Sequence, residues 1–226
     1  VPDMVDPPAP RQLTTEEVAR VVNDFAQAAQ NAIDAGFDGV EIHGANGYLH
    51  EQFLNPLVND RSDQYSADTL ENRIRFTLEV IDAIVARIGA DRTGIRLSPY
   101  GNLFDMPAYP QTDETYTALA EAIGERKLSF VHLMNQAGYS SSEPGQAGFN
   151  KLLKTIKSKL PETTLILAGG LNRDSAQQLI NEGQIDLVGF GVPFISNPDL
   201  VERLRNGYPL AKADPTTFYG GNGKGY

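Results

Sequence analysis

Cysteine is absent from this sequence, which excludes disulfide staples and thiolate chemistry together. No apolar run approaches the roughly 18 residues that a membrane-spanning helix needs. Positive charge is scarce: 19 Lys and Arg stand against 29 Asp and Glu, leaving a formal net charge of -10 and a pI near 4.7. That balance argues against non-specific binding to nucleic acid or anionic lipid, without bearing on a local positive pocket. The opening VPDMVDPPAP has neither a basic n-region nor an apolar h-region, so it does not read as a signal peptide. A reducing cytoplasm is the simplest host for such a chain. There is no His, Asp and Glu cluster at metal-ligand spacing, no Gly-rich P-loop with lysine and no G-x-S-x-G elbow. Metal and nucleotide-triphosphatase readings therefore have no positive support.

What remains is an ordinary globular composition, with 41% hydrophobic and 21% charged residues in 226, enough chain to bury a substantial core. Residues 1–13 read as proline-rich and extended. Thr14 with Glu17 forms a capping box, and Val18, Val21, Val22, Phe25, Ala29, Ala32 and Ile33 keep a helical apolar spacing up to Gly36. FDGVEIHG then reads as a short strand. A polar segment from Asn46 to Leu70 follows, with one helical turn, and a helix from about Asp68 to Ile88. The unit repeats: strand TGIRLSPYG with a helix over Glu114–Gly124, strand LSFVHLMN with a helix through Phe149 and Ile156, strand TLILAGG with a helix over Asp174–Asn181. DLVGFG is the last strand. A short helix follows it, with Pro198 at its first position beside the capping candidate Asn197.

Five near-continuously apolar strands alternating with helices predict a parallel sheet covered on both faces. A doubly wound sheet and a (β/α)₈ barrel both fit. His43, Arg96, His132, Gly169 with Gly170, and Gly189 with Gly191 all fall at the carboxyl ends of strands, where a barrel gathers its site. A doubly wound sheet concentrates its signal in one or two loops, so the barrel is preferred. Five strands cannot close one, and open parallel edges invite association.

The densest chemical signal is H-G-A-N-G-Y over 43–48. Alternation puts Glu41 and His43 on one face, and the glycines let Asn46 and Tyr48 turn back into the mouth. An imidazole N–H beside an amide N–H₂ can hold one oxygen and stabilise charge developing on it, and a nearby tyrosine can donate a proton. The bland alternative is a satisfied core histidine next to a turn. Arg96 cannot shed its charge, so within a barrel mouth it needs an anionic or carbonyl-rich partner. A flavin's N1/C2=O edge would serve, and so would a structural ion pair. Gly169-Gly170 and the pair Gly189 and Gly191 end the last two strands, where barrels often bind phosphate. His132 suits a structural role better than a catalytic one.

The stretches EIHGANGYL, ENRIRF, GIRLSPYG, LILAGG, GFGVPFISNPDL and TFYGGNGKGY resemble the Old Yellow Enzyme family of FMN-dependent ene-reductases, and the likeness spans nearly the whole chain. It implies an α/β chain, residues 1–226, forming a single partial (β/α)₈ TIM-barrel domain with about five strands, the fourth to eighth. The first three strands would be absent, and the chain stops earlier than typical members. The resemblance implies non-covalent FMN, reduced by NADPH, that passes hydride to the β-carbon of an activated alkene. His43 and Asn46 would hold the substrate's carbonyl or nitro oxygen, and Tyr48 would protonate the α-carbon. Arg96 would lie over the flavin pyrimidine, Gly169, Gly170 and Gly191 would lie at its phosphate, and Tyr219 would line the substrate pocket. A loop from about Asn135 to Gly148 would border that pocket. Val192 stands where the family commonly has a phosphate-gripping arginine, which implies weakened flavin affinity unless another residue supplies the charge. The missing strands imply a partner: the amino-terminal segment of the same barrel, as a separate chain in a nicked or split enzyme. An inactive barrel fragment serving only as a structural unit is the alternative. A phosphate-binding barrel lyase or isomerase ranks low, because no lysine sits on a strand end. Without cysteine, relatives carrying an iron–sulfur cluster are excluded.

Overall fold

The computed structural model describes residues 9–136 and 145–218. Their order is α1 (Thr15–Asp34), β1 (Val40–Gly44), α2 (Leu49–Leu54), α3 (Leu70–Ile88), β2 (Thr93–Leu97), α4 (Thr112–Arg126), β3 (Phe130–Met134) and α5 (Gly145–Lys159). After these come β4 (Thr164–Ala168), α6 (Arg173–Asn181), β5 (Leu187–Gly189), α7 (Val192–Ser196) and α8 (Leu200–Asn206). The five strands form one parallel sheet in the order β1-β2-β3-β4-β5. That order decides between the two architectures left open by the sequence. A doubly wound sheet reverses its strand order at a switch point. Here each strand joins the edge just vacated, so right-handed crossovers put every helix on one face, as in a barrel wall.

Side-chain alternation follows from that arrangement. Ile42, Ile95, Val131, Leu133, Leu165 and Leu167 point to the helices and are buried. They meet Phe76, Val80 and Ile81 of α3, Leu119 and Ile123 of α4, and Phe149, Leu152, Leu153 and Ile156 of α5 in one core. The opposite, concave face carries Glu41, His43, Arg96, Phe130, His132 and Ile166, which are exposed or half-buried. The strands are thus covered by helices on one face only among the described residues, where their apolar character predicted cover on both.

The local expectations hold at α1, whose Thr14–Glu17 capping box is formed. α3 starts at Leu70, with the Thr69 side chain accepting from the Asn72 N–H. α4 is longer than the sequence suggested, starting at Thr112, a polar residue that is buried, and running on to Arg126. Asn197 does not cap a helix. It is fully buried, donates to Pro193 O and Ala211 O and accepts from Ala211 N, tying the chain after α8 to α7. α8 begins two residues beyond Pro198, at Leu200.

Candidate active site at the carboxyl ends of β1 and β2

β1 ends in a tight turn over Ala45–Tyr48, closed by Tyr48 N–H donating to Ala45 O at 3.3 Å. Its two central residues, Asn46 (φ 59°) and Gly47 (φ 78°), are both left-handed. Asn-Gly is the pair that adopts this geometry with least strain. Gly47 is required on a second count, since a Cβ there would lie 2.6 Å from Leu103 O. The turn swings the Tyr48 ring over His43, with ring centroids 5.0 Å apart, and against Phe104 at 5.3 Å.

The turn is held from beneath by groups that sequence reasoning did not single out. Glu51, on α2 and buried, accepts from Gly47 N at 2.5 Å, from the Ser98 hydroxyl and from Tyr116 at 3.2 Å. Ser98 Oγ in turn accepts from Asn46 N at 2.7 Å. Burial pushes the Glu51 carboxyl upward in pKa, against the pull of these donors. His50, beside it, is fully buried between Phe25 and Phe76, with Nδ1 3.1 Å from Thr77 Oγ1. Desolvation lowers its pKa to about 4, so it is a neutral core histidine.

The electrostatics of the concave face favour a neutral His43. Its pKa is lowered first by partial burial, then by the Arg96 charge, with Glu41 opposing. A neutral imidazole keeps one N–H donor for a ligand oxygen. His132 Nδ1 sits 2.9 Å from Glu41 Oε1, and that bond holds the Glu41 carboxyl below its usual range. The structural role expected of His132 fits this contact. Arg96 neighbours both residues across the sheet, paired in register with His43 and His132. Its Nε is buried without a partner among the described residues.

The glycines at the other end are not equivalent. A Cβ on Gly169 (φ 106°) would strike Asn135 O at 2.3 Å, so its glycine lets β3 and β4 continue side by side, with Asn135 N–H on Ala168 O at 2.8 Å. Gly170 (φ 70°) and Gly191 have open space where a Cβ would stand, which leaves their backbone accessible to a ligand. Val192 opens α7 and is 55% exposed. Arg173, the first cation in sequence after Gly170, has Nη1 3.5 Å from the Cβ position of Gly207. Tyr219 and most of the 135–148 loop lie outside the described residues. Among the described residues no acidic or histidine cluster could hold a metal ion, and no helix is long and apolar enough to cross a membrane.

Fold and site together define part of a (β/α)₈ barrel that places His43 and Arg96 side by side at the carboxyl ends of β1 and β2, with Asn46 in the turn that follows. Residues 4–211 match the model of the NADH:flavin oxidoreductase / NADH oxidase family, and the chain belongs to that family. It is 43% identical over 211 residues to a putative 12-oxophytodienoate reductase 3 of Oryza sativa subsp. japonica, covering 93% of this chain and 54% of that one. It is 39% identical over 216 residues to 12-oxophytodienoate reductase 2 of Arabidopsis thaliana, covering 93% and 55%. Among solved structures, morphinone reductase superposes with a TM-score of 0.87 at 39% identity, over 96% of this chain and 56% of that one. The chain spans about half the length of the curated relatives it matches. FMN and a nicotinamide reductant are the cofactor chemistry typical of the family.

Proposed function

We propose that this chain carries the substrate-polarising and part of the FMN-binding machinery of an NADPH-dependent ene-reductase acting on activated alkenes such as enones, enals, nitroalkenes and maleimides. The observation that carries this reading is the Asn46-Gly47 turn. It sets a neutral imidazole and a carboxamide on one strand end, braced by a buried carboxylate. The residues present also fit a flavin. Arg96 Nε is a buried donor without a partner among the described residues, and Gly170 and Gly191 offer accessible backbone. Arg96 would face the electron-rich pyrimidine edge, while Gly169, Gly170 and Gly191 would border the phosphate, with Val192 contributing no charge. When bound and reduced by NADPH, such a flavin would supply the hydride that adds to the β-carbon of the alkene.

The chain's own residues then act on the other end of the double bond. His43 and Asn46 donate to the carbonyl or nitro oxygen and lower the cost of charge accumulating there. Tyr48, whose ring lies against His43, gives its proton to the α-carbon. Tyr219 would line the pocket. The half-exposed concave face would be completed by the remaining strands of the barrel. We place the reaction in the cytoplasm, in keeping with the cysteine-free composition.

The test is a flavin band near ~450 nm in the purified protein, bleached anaerobically by NADPH and restored by 2-cyclohexenone. His43→Ala and Asn46→Gly should each lower kcat/KM by about a hundredfold or more, while NADPH still bleaches the flavin. A colourless protein, or turnover indifferent to both substitutions, would favour the inactive barrel unit.

A further inference from the structure

Asn46 can polarise an oxygen only if its carboxamide presents N–H₂ to the mouth. Reversed, it would aim Oδ1 at the oxygen it should stabilise. Rotation about the last side-chain bond is nearly two-fold symmetric, so the turn does not choose between these states. The choice comes from 90 residues away in sequence: Gln136 Nε2 donates to Asn46 Oδ1 at 2.6 Å. Gln136 follows β3 directly and is buried, 3% exposed. Asn135 beside it is anchored by its N–H on Ala168 O at 2.8 Å and its Nδ2 on Gln146 Oε1 at 3.0 Å.

We propose that Gln136 is a positioning residue that fixes the Asn46 amide with Oδ1 inward and N–H₂ toward the substrate oxygen. The inference rests on the function proposed above. Three observations support it. Asn46 N–H is already committed to Ser98 Oγ at 2.7 Å, so the backbone of the turn cannot rotate to compensate for a reversed amide. Asn46 Nδ2 has no protein partner among the described residues and is free for a ligand. Gln136 Oε1 is buried without a partner among the described residues, packed close to Gly101, where a Cβ would approach it to 2.9 Å. Native chains seldom leave such an atom unpaired unless the group is held for another purpose. Gly169 belongs to the same device: it lets β4 approach Asn135, and so places the residue that follows.

The probe is 4-nitrophenol, whose phenolate oxygen stands in for a substrate oxygen gaining charge. Its affinity and bound-state pKa are read by absorbance on the FMN-loaded protein. Wild type should prefer the phenolate and lower its pKa. Gln136→Met, which frees the amide, should weaken phenolate binding about tenfold. Gln136→Glu, whose carboxylate accepts from Nδ2 and reverses the amide, should weaken it about a hundredfold and raise the bound pKa. Asn46→Gly keeps the left-handed turn but deletes the carboxamide. In that background both effects should shrink below about twofold. If they persist in full, Gln136 acts by its own charge or packing, and the proposal fails. If wild type itself does not prefer the phenolate, the function assigned to the His43–Asn46 pair fails instead. The amide orientation is then read without ligand, from side-chain proton exchange in ¹⁵N-labelled protein. Slow Gln136 and fast Asn46 carboxamide protons support the pairing, and the reverse order overturns it.

Discussion

At one end of the sheet, β1 and β2 are five residues each and sit on α3, whose buried face includes Phe76, Val80 and Ile81. At the other end, β5 has three residues, its first, Leu187, is 53% exposed, and α6 buries a single alanine. The polar site residues sit at the well-packed end, the accessible glycines at the thin one. Donors that must stabilise charge need fixed angles, and fixed angles need a rigid support. At the thin end, Gly170 and Gly191 keep open space beside their backbone.

The sharpest way to break this contrast is at its base. Glu51→Ala leaves Gly47 N–H, Ser98 and Tyr116 without their shared acceptor. It should cost about 4 kcal/mol, taking a typical penalty for each stranded buried donor. Leu187→Ala at the thin end should cost less than about 1 kcal/mol. Urea midpoints compare the two, and equal losses would sink the distinction. His50 makes the same end sensitive to acid. Burial holds its folded pKa at about 4, below the ordinary imidazole value of 6.5, so the unfolded chain binds the extra proton between those values. Stability is fully present above the upper value and falls as pH drops through the window, by up to about 3 kcal/mol. His50→Leu should flatten that slope in denaturation measured from pH 7 to 4.

Asn197→Ala probes the thin end at its most buried polar anchor and should cost about 2 kcal/mol. Exchange should speed up first in the chain between α8 and Thr217. The last effect is a gain. Val192→Arg adds a cation beside Gly191, and FMN should bind about tenfold tighter at low salt, with the advantage fading as ionic strength rises. No change in affinity would mean that backbone alone sets phosphate binding here.

Much of this was legible in the sequence because it depends on near neighbours. The capping box of α1, the alternation of His43 with Ile42 and the Asn-Gly turn all read out from residues a few positions apart. Glu51, Ser98 and Gln136 did not. Their roles exist only when strands separated by about a helix and two loops are laid side by side, and no local pattern marks a buried carboxylate as a brace. Asn197 was misread for the complementary reason. Asparagine before proline is a good local cap signal, but its side chain is spent on Ala211, fourteen residues away. The choice of barrel over doubly wound sheet was supported by polar residues on every strand end, and the sequential strand order resolved it.

That strand order also bears on how the chain acquires its structure. Each β-strand pairs only with its immediate neighbours in sequence, so among the described residues no strand has to wait for a distant, later one before it can dock. Synthesis from the amino terminus, at about 5–20 residues per second, then delivers the units in the order in which they can be added. The brace under the Asn46 turn is complete once Tyr116 has emerged. The Gln136 contact must come later, so the site would first exist as a shaped turn with an unaligned amide and gain its polarity only as β3 arrives.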